Sequence, residues 1–200
     1  MIVPPSLPMI SRAEVVQFLA QVNVPEPAEA TLFARRGHFV ELGANARDND
    51  VGVYDDAIIL ISPTAFVSYN ANTDPSVLKP KVAVLQPGSW TYEVGMHKRN
   101  DPVKRYRALV QAAEVEVFRP GTDAESVGTK SDLGKCIAPG IWRGWFGVNI
   151  HRGGFNTTGS EGCQTIYKPQ WDAFLAQAEA EMKRYGQKSI RYHLTADGRN

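Results

Sequence analysis

The run Ala57-Ile58-Ile59-Leu60-Ile61, closed by Ser62-Pro63, sets the firmest limit on what this chain can fold into. Five apolar residues, mostly β-branched and too few for an ordinary helix, read as a strand buried on both faces. Other short runs repeat the signal. Phe66, Val67 and Tyr69 continue as a second strand before the turn Asn70 to Pro75, Val115 to Phe118 alternates as a strand, and Ser189 to Leu194 does so again near the end. Val82 to Leu85 and Trp90 to Val94 flank Gln86-Pro87-Gly88-Ser89. Proline presets one dihedral and glycine accepts positive φ, so the pair is expected as a hairpin. Tyr106 to Ala113 is a short apolar or helical piece, and Trp142 to Ile150 is expected as a strand that delivers His151. The fold class is therefore mostly β, of α+β type.

Two helices complete the pattern. Ser11 and Glu14 form a capping box, Val15, Phe18, Leu19 and Val22 share one face, and Pro25 and Pro27 end the helix. Pro169 opens a second, amphipathic helix whose stripe is Trp171, Phe174, Leu175, Ala178, Met182 and Tyr185. Asp172 near its start and Lys183 and Arg184 near its end suit the helix dipole, and Gly186 caps it. Leu32 to Asp56 lacks periodicity and reads as loop, while Arg119 to Gly140 is expected as a mobile lid or a disordered excursion. The acidic residues Asp48, Asp50, Asp55 and Asp56 invite a calcium reading, but Val53 occupies the position where an EF-hand requires glycine.

With 200 residues, 43% of them apolar, the chain can close a real core. Lys+Arg 22 against Asp+Glu 21 leaves a net charge of +1, which gives no field to attract nucleic acid or an acidic membrane. Met1 to Ile10 lacks a basic n-region, and Arg12 and Glu14 interrupt the apolar residues that follow, so neither a signal peptide nor a membrane span is expected. Cys136 and Cys163 make no disulfide framework and no Cys-x-x-Cys motif.

Chemistry concentrates in Gly147 to Ile166, G-V-N-I-H-R-G-G-F-N-T-T-G-S-E-G-C-Q-T-I. A cysteine attacks a carbonyl carbon as thiolate and needs a base or cation nearby. His151 precedes Cys163 by twelve residues, enough for the chain to return and face its start. In that arrangement His151 is the base, Cys163 the nucleophile, and the N–H groups of Gly162 and Cys163 hold the oxyanion. Ser160 bonds the turn backbone. Strand alternation puts Asn149 on the face of His151, as its orienter, and sends Ile150 and Arg152 to the other.

Ile150-His151 followed by Ser160-Glu161-Gly162-Cys163, with a helix and a terminal strand behind, resembles the active-site signature of the L,D-transpeptidase family. The resemblance extends over Val82 to Leu194 and implies a β-sandwich or mixed sheet acting on peptidoglycan stem peptides. It divides the chain into an N-terminal helix, loop and strand extension at residues 1–78 and a catalytic domain at residues 79–200. His151 matches the family's base, Cys163 its nucleophile, and Ser160 and Gly162 the Ser and Gly of its turn. Glu161 stands where the family has a second histidine, and Gln164 and Thr165 replace an apolar residue and an arginine. A longer pattern, His-Arg-Gly-Gly with Ser-x-Gly-Cys-Gln-Thr and Pro-x-Trp, resembles stretches of phage and prophage proteins. The implied activity is an acyl-enzyme reaction on stem-peptide amides, hydrolysis ahead of transpeptidation. The implied setting is a protein made in the cytoplasm that reaches the wall after release or delivery, as an endolysin does.

Arg152, Gly153, His97, Glu161 and Gln164 are the expected substrate contacts, with Arg152 suited to a peptide carboxylate by its planar fork. Trp142 and Trp145 fill the core or stack on sugar, with the core favoured. A zinc site from His151, Cys163, Cys136 and His97 matches no compact ligand spacing, so no metal or other cofactor is expected. A different class of reading is a non-catalytic wall-binding or phage structural module that keeps the fold.

Overall fold

The computed structural model describes residues 3–39 and 51–195. The chain begins with α1 (Arg12–Gln21), β1 (Thr31–Arg35), β2 (Asp56–Ser62), β3 (Ala65–Asn72), β4 (Val84–Leu85), β5 (Gly88–His97) and β6 (Tyr106–Gln111). It continues through β7 (Val115–Phe118), β8 (Lys130–Ser131), β9 (Gly134–Ala138), β10 (Ile141–Gly144), β11 (Ile150–Arg152) and β12 (Gln164–Ile166), and ends with α2 (Trp171–Arg184) and β13 (Ser189–Thr195). The protein is mostly β, as expected. Its larger sheet is mixed and closes into a barrel in the order β1-β13-β5-β6-β11-β12-β3-β2, and β4-β7-β10-β9-β8 form a second, five-stranded sheet.

The apolar run Ala57 to Ile61 lies in β2. Ile58 and Leu60 face the main core, while Ala57, Ile59 and Ile61 face a smaller cluster with Phe33 and with Val15 and Leu19 of α1. Because α1 covers the outer face, both faces of β2 are dry and the usual polar alternation disappears. The capping box of α1 is present: Ser11 Oγ accepts from the Glu14 N–H at 3.2 Å and the Glu14 carboxylate accepts from the Ser11 N–H at 2.6 Å. Helix α2 follows a 3-10 turn at Lys168–Gln170 that contains Pro169, and buries Trp171, Phe174, Leu175, Ala178 and Met182. Its start is tied to β3, where Gln170 bonds the Asn70 N–H at 2.8 Å and Asn70 Oδ1 at 2.7 Å.

Several expectations are corrected. β1, β2 and β3 are no extension: they supply three of the eight barrel strands, so the division at residue 78 cuts through one sheet. Without them β12 and β13 would each present an unpaired edge. Residues 32–35, read as loop, belong to β1, which pairs in parallel with β13 at the far end of the chain. The turn at Pro87-Gly88 joins no hairpin, because β4 pairs with β7 in the small sheet while β5 pairs with β13 and β6 in the barrel. Residues 119–140 hold a 3-10 turn and the paired strands β8 and β9, so they are part of the small sheet and no lid. Tyr106 to Ala113 contains the strand β6. The single strand expected from Trp142 to Ile150 is two: β10 in the small sheet and β11 in the barrel, with residues 145–149 crossing between them.

Of the acidic residues that suggest calcium, Asp48 and Asp50 lie outside the described residues. Asp56 is buried and accepts from the N–H groups of Gly37 at 2.8 Å and Thr73 at 2.6 Å and from Thr73 Oγ1 at 2.7 Å, a structural use.

Candidate active site

The crossing from β10 to β11 builds the site. Residues between two sheets have no ladder partner, and buried backbone groups must find one elsewhere. Gln111, at the end of β6, supplies it. Its Oε1 accepts from the N–H groups of Phe146, Gly147 and Val148 at 3.0 to 3.2 Å, and its Nε2 donates to the carbonyls of Ala113 and Gly144 at 2.8 and 2.9 Å. The crossing is thereby fixed against the barrel rim. The Gly147 carbonyl lies 3.5 Å from Cys163 Sγ, and the Asn149 N–H donates to that sulfur at 3.4 Å.

Parallel pairing of β11 with β12 sets His151 beside Thr165 and brings Cys163, one residue before β12, alongside it. A ring nitrogen of His151, a ring nitrogen of His97 and Cys163 Sγ lie within 4.8 Å of one another. The partners of His151 assign its tautomer. Nδ1 is 2.8 Å from the Arg152 carbonyl, which can only accept, so Nδ1 carries the hydrogen and Nε2 keeps its lone pair. Tyr106 Oη lies 3.0 Å from the same Nδ1 and donates to the same carbonyl at 3.4 Å. His151 is 5% exposed, and burial, with repulsion from His97, pulls its imidazole down to about 4.

Asn149 is tied to the other histidine. Its Oδ1 accepts from the Gln111 N–H at 3.1 Å, which leaves Nδ2 to donate to His97 Nδ1 at 3.1 Å. The proton of His97 therefore sits on Nε2. His97 stacks on His151 with ring centres 4.1 Å apart and planes 25° apart, so Asn149 reaches His151 through His97 and does not orient it directly. That stacking also bears on metal. The two rings and the thiol could together hold an ion, since one nitrogen of each ring and the Cys163 sulfur lie within 4.8 Å of one another, though the stacked rings aim their lone pairs at one point only where their tilted planes cross. Cys136 is buried in β9, opposite Trp142, with its thiol donating to the Ala138 carbonyl at 3.2 Å, and it stands outside the cluster.

The turn before Cys163 is held by Ser160 and by Ser76. Ser160 Oγ accepts from the Gly162 N–H at 2.9 Å and donates to the Cys163 carbonyl at 2.6 Å. Ser76 Oγ accepts from the Ser160 N–H at 2.7 Å, and the Ser160 carbonyl accepts from the Ser76 N–H at 2.8 Å. Of the two expected oxyanion donors, the Gly162 N–H is thus already bound to Ser160. Gly162 has φ +143°, and a Cβ there would collide with the Ala83 carbonyl, so its freedom from a side chain serves packing of the turn. Burial pushes the Cys163 thiol up to about 11, against the Asn149 N–H and Lys98, which favour the thiolate. Thiol and imidazole are both neutral at rest.

The expected substrate contacts divide. Glu161 is exposed and paired with Lys79 at 2.6 Å, which lowers its carboxyl. Gln164 is fully buried, donating to the Gly162 carbonyl at 3.2 Å and accepting from Tyr192 Oη at 2.9 Å, so it serves the barrel interior and cannot meet a substrate. Gly153 gives its N–H to the Ile166 carbonyl at 2.8 Å, and the Tyr54 hydroxyl occupies the space a side chain would need. Arg152 contributes its carbonyl to His151, while its guanidinium lies 4.7 Å from the Tyr106 ring centre. Trp142 is core, but Trp145 is 52% exposed beside the crossing.

Sequence reasoning misses Tyr106, Gln111, Ser76 and Lys98. None has a local signal except Lys98, which follows the strand end at His97. No family model, no curated protein and no solved structure matches this chain.

Proposed function

We propose that this protein is a cysteine acyl-transfer enzyme acting on peptidoglycan stem peptides at the cell wall, with water as the acceptor. The observation that carries the reading is the tautomer of His151: the Arg152 carbonyl holds the hydrogen on Nδ1, so Nε2 is free to take a proton within the cluster that contains Cys163 Sγ. Buried His38 also has its tautomer fixed, by the Met9 N–H at Nε2; what sets His151 apart is that its fixed tautomer stands in a cluster with a cysteine sulfur. The resemblance of Ile150-His151 and Ser160-Glu161-Gly162-Cys163 to the L,D-transpeptidase signature supplies the substrate class.

In the proposed reaction Cys163 Sγ adds to a stem-peptide carbonyl carbon as His151 Nε2 takes the thiol proton. The tetrahedral intermediate collapses, the C–N bond breaks, and Nε2 returns the proton to the departing amine. Water then attacks the thioester carbon, gives its proton to Nε2, and the acid product leaves as the proton returns to sulfur. The Cys163 N–H is the remaining backbone donor of the expected pair for the oxyanion.

The test is mass spectrometry of muropeptides after incubation with the protein. Loss of terminal residues or cross-links, abolished by Cys163→Ala, is the expected result; equal cleavage by Cys163→Ala sinks the proposal.

A second reading, a wall-binding module without catalysis, draws on the neutral resting pair, since a thiol near 11 beside an imidazole near 4 is not a preformed ion pair. It predicts that the protein sediments with insoluble wall and releases no fragments.

A further inference from the structure

Two open clefts meet at the crossing segment 145–149. The larger, about 550 Å³, is lined by Glu93, Lys98, Arg99, Trp145, Gly147 and Asn149 among others. Gly147 and Asn149 are the residues whose backbone touches Cys163 Sγ, so the wall of this cleft is one residue thick at the sulfur, which does not itself line it. The other, about 330 Å³, includes Lys79, Lys81, Arg119, Phe146 and Glu161. Its charges are largely spent: Glu161 holds Lys79, and Arg119 donates to the Lys81 carbonyl and lies over the rings of Trp142 and Phe146. Among the described residues, Lys98 and Arg99 enter no ion pair.

Lys98 has a further mark. Its φ is +52°, in the left-handed region that a residue with a side chain seldom adopts, and its carbonyl closes a turn with the Asp101 N–H at 2.9 Å. Three non-glycine residues among those described share this conformation, and two of them, Lys81 and Lys98, line these two clefts. Backbone strain of this kind collects at functional sites. The field of Lys98 reaches the site, favouring the Cys163 thiolate and disfavouring the charged forms of His97 and His151. The positions just after the cysteine cannot recognise an anion, because Gln164 and Thr165 are buried.

We infer that the cleft of Lys98, Arg99 and Trp145 is the acyl-donor subsite and takes a donor that carries a carboxylate close to its scissile carbonyl. The carboxylate meets the two cations, and the apolar part of the chain lies on the exposed face of Trp145. Glu93, at the same cleft, disfavours a second negative group and so selects a donor with one. The inference rests on the acylation of Cys163 proposed above.

Its test needs no turnover. Rates of alkylation at Cys163 by iodoacetate and by its neutral isostere iodoacetamide are measured at pH 9 and low salt, with the Cys163 peptide followed by mass. The ratio of the two rates cancels thiol ionisation and is referred to the ratio for 2-mercaptoethanol. The parent protein is expected to favour iodoacetate by about fivefold over that reference, an advantage lost in about 0.5 M salt. K98Q with R99Q brings the ratio to the reference value, K98R preserves it, and K81Q, in the other cleft, leaves it within about twofold. A parent ratio at or below the reference, or one that K98Q with R99Q leaves unchanged, overturns the inference. Failure of the acyl-transfer reading has a different sign: a normal iodoacetate preference together with muropeptide cleavage that survives Cys163→Ala.

Discussion

Alkylation of Cys163 as a function of pH reads whether the proposed nucleophile, Cys163, and its proposed base, His151, rest as a neutral pair. Burial holds the thiol near 11 and the imidazole near 4, so moving the proton from sulfur to nitrogen runs about seven decades uphill before the new charges attract. Two unit charges about 4 Å apart at an effective dielectric of about 20 gain about 4 kcal/mol, or about three decades. About four decades remain against the ion pair. Thiolate in the resting protein therefore comes from plain ionisation, and His151 does not create it in advance.

The sign follows from the direction of the shift. A thiol raised to about 11 is about 0.1% thiolate at pH 8, where one at the ordinary value of 9.0 is about a tenth ionised. The more basic thiolate is also the better nucleophile, which returns about one decade. Iodoacetamide should then label Cys163 about tenfold more slowly than a free thiol at pH 8. The logarithm of the rate should climb about one unit per pH unit from 7 to 10 without a plateau. His151→Ala should change this labelling less than about threefold while abolishing any turnover, because the base acts on the thiol only as sulfur attacks. A plateau below pH 8 that disappears in His151→Ala would refute the reasoning, since it would reveal a preformed thiolate and imidazolium.

Four other substitutions separate the parts of the site. Gln111→Leu leaves the N–H groups of Phe146, Gly147 and Val148 without their acceptor and should lower unfolding free energy by about 3 kcal/mol in urea titration; a loss below about 1 kcal/mol means another group holds the crossing. Arg152→Ala keeps the carbonyl that fixes His151, so muropeptide turnover should stay within about threefold, whereas Tyr106→Phe removes the hydroxyl at Nδ1 and should slow it by about three- to tenfold; the reverse order would place the function in the guanidinium. Gly162→Ala should destabilise the protein by about 2 kcal/mol, because its φ of +143° and the Ala83 carbonyl both oppose a side chain; unchanged thermal unfolding would contradict that.

What the sequence made legible was local, and what it hid depends on pairing across the chain. The β2 run, the capping box of α1 and the stripe of α2 can be read because each carries its own periodicity or cap. At Pro87-Gly88 the turn chemistry is right about direction and silent about partners, so two strands that should zip together go to different sheets. β1 has five residues and one parallel partner near the opposite terminus, a contact that no window of neighbouring residues can announce. The site behaves in the same way. His151, Ser160 and Cys163 stand out because their residue types suit chemistry. Gln111 looks like an ordinary polar strand end until residues 145–149 cross from one sheet to the other. That crossing leaves three N–H groups in need of an acceptor, and meeting the need also fixes the Gly147 carbonyl and the Asn149 N–H around the sulfur. The Cys163 thiol sits where the chain changes sheets because backbone groups released from a ladder are free there to point at something other than a neighbouring strand.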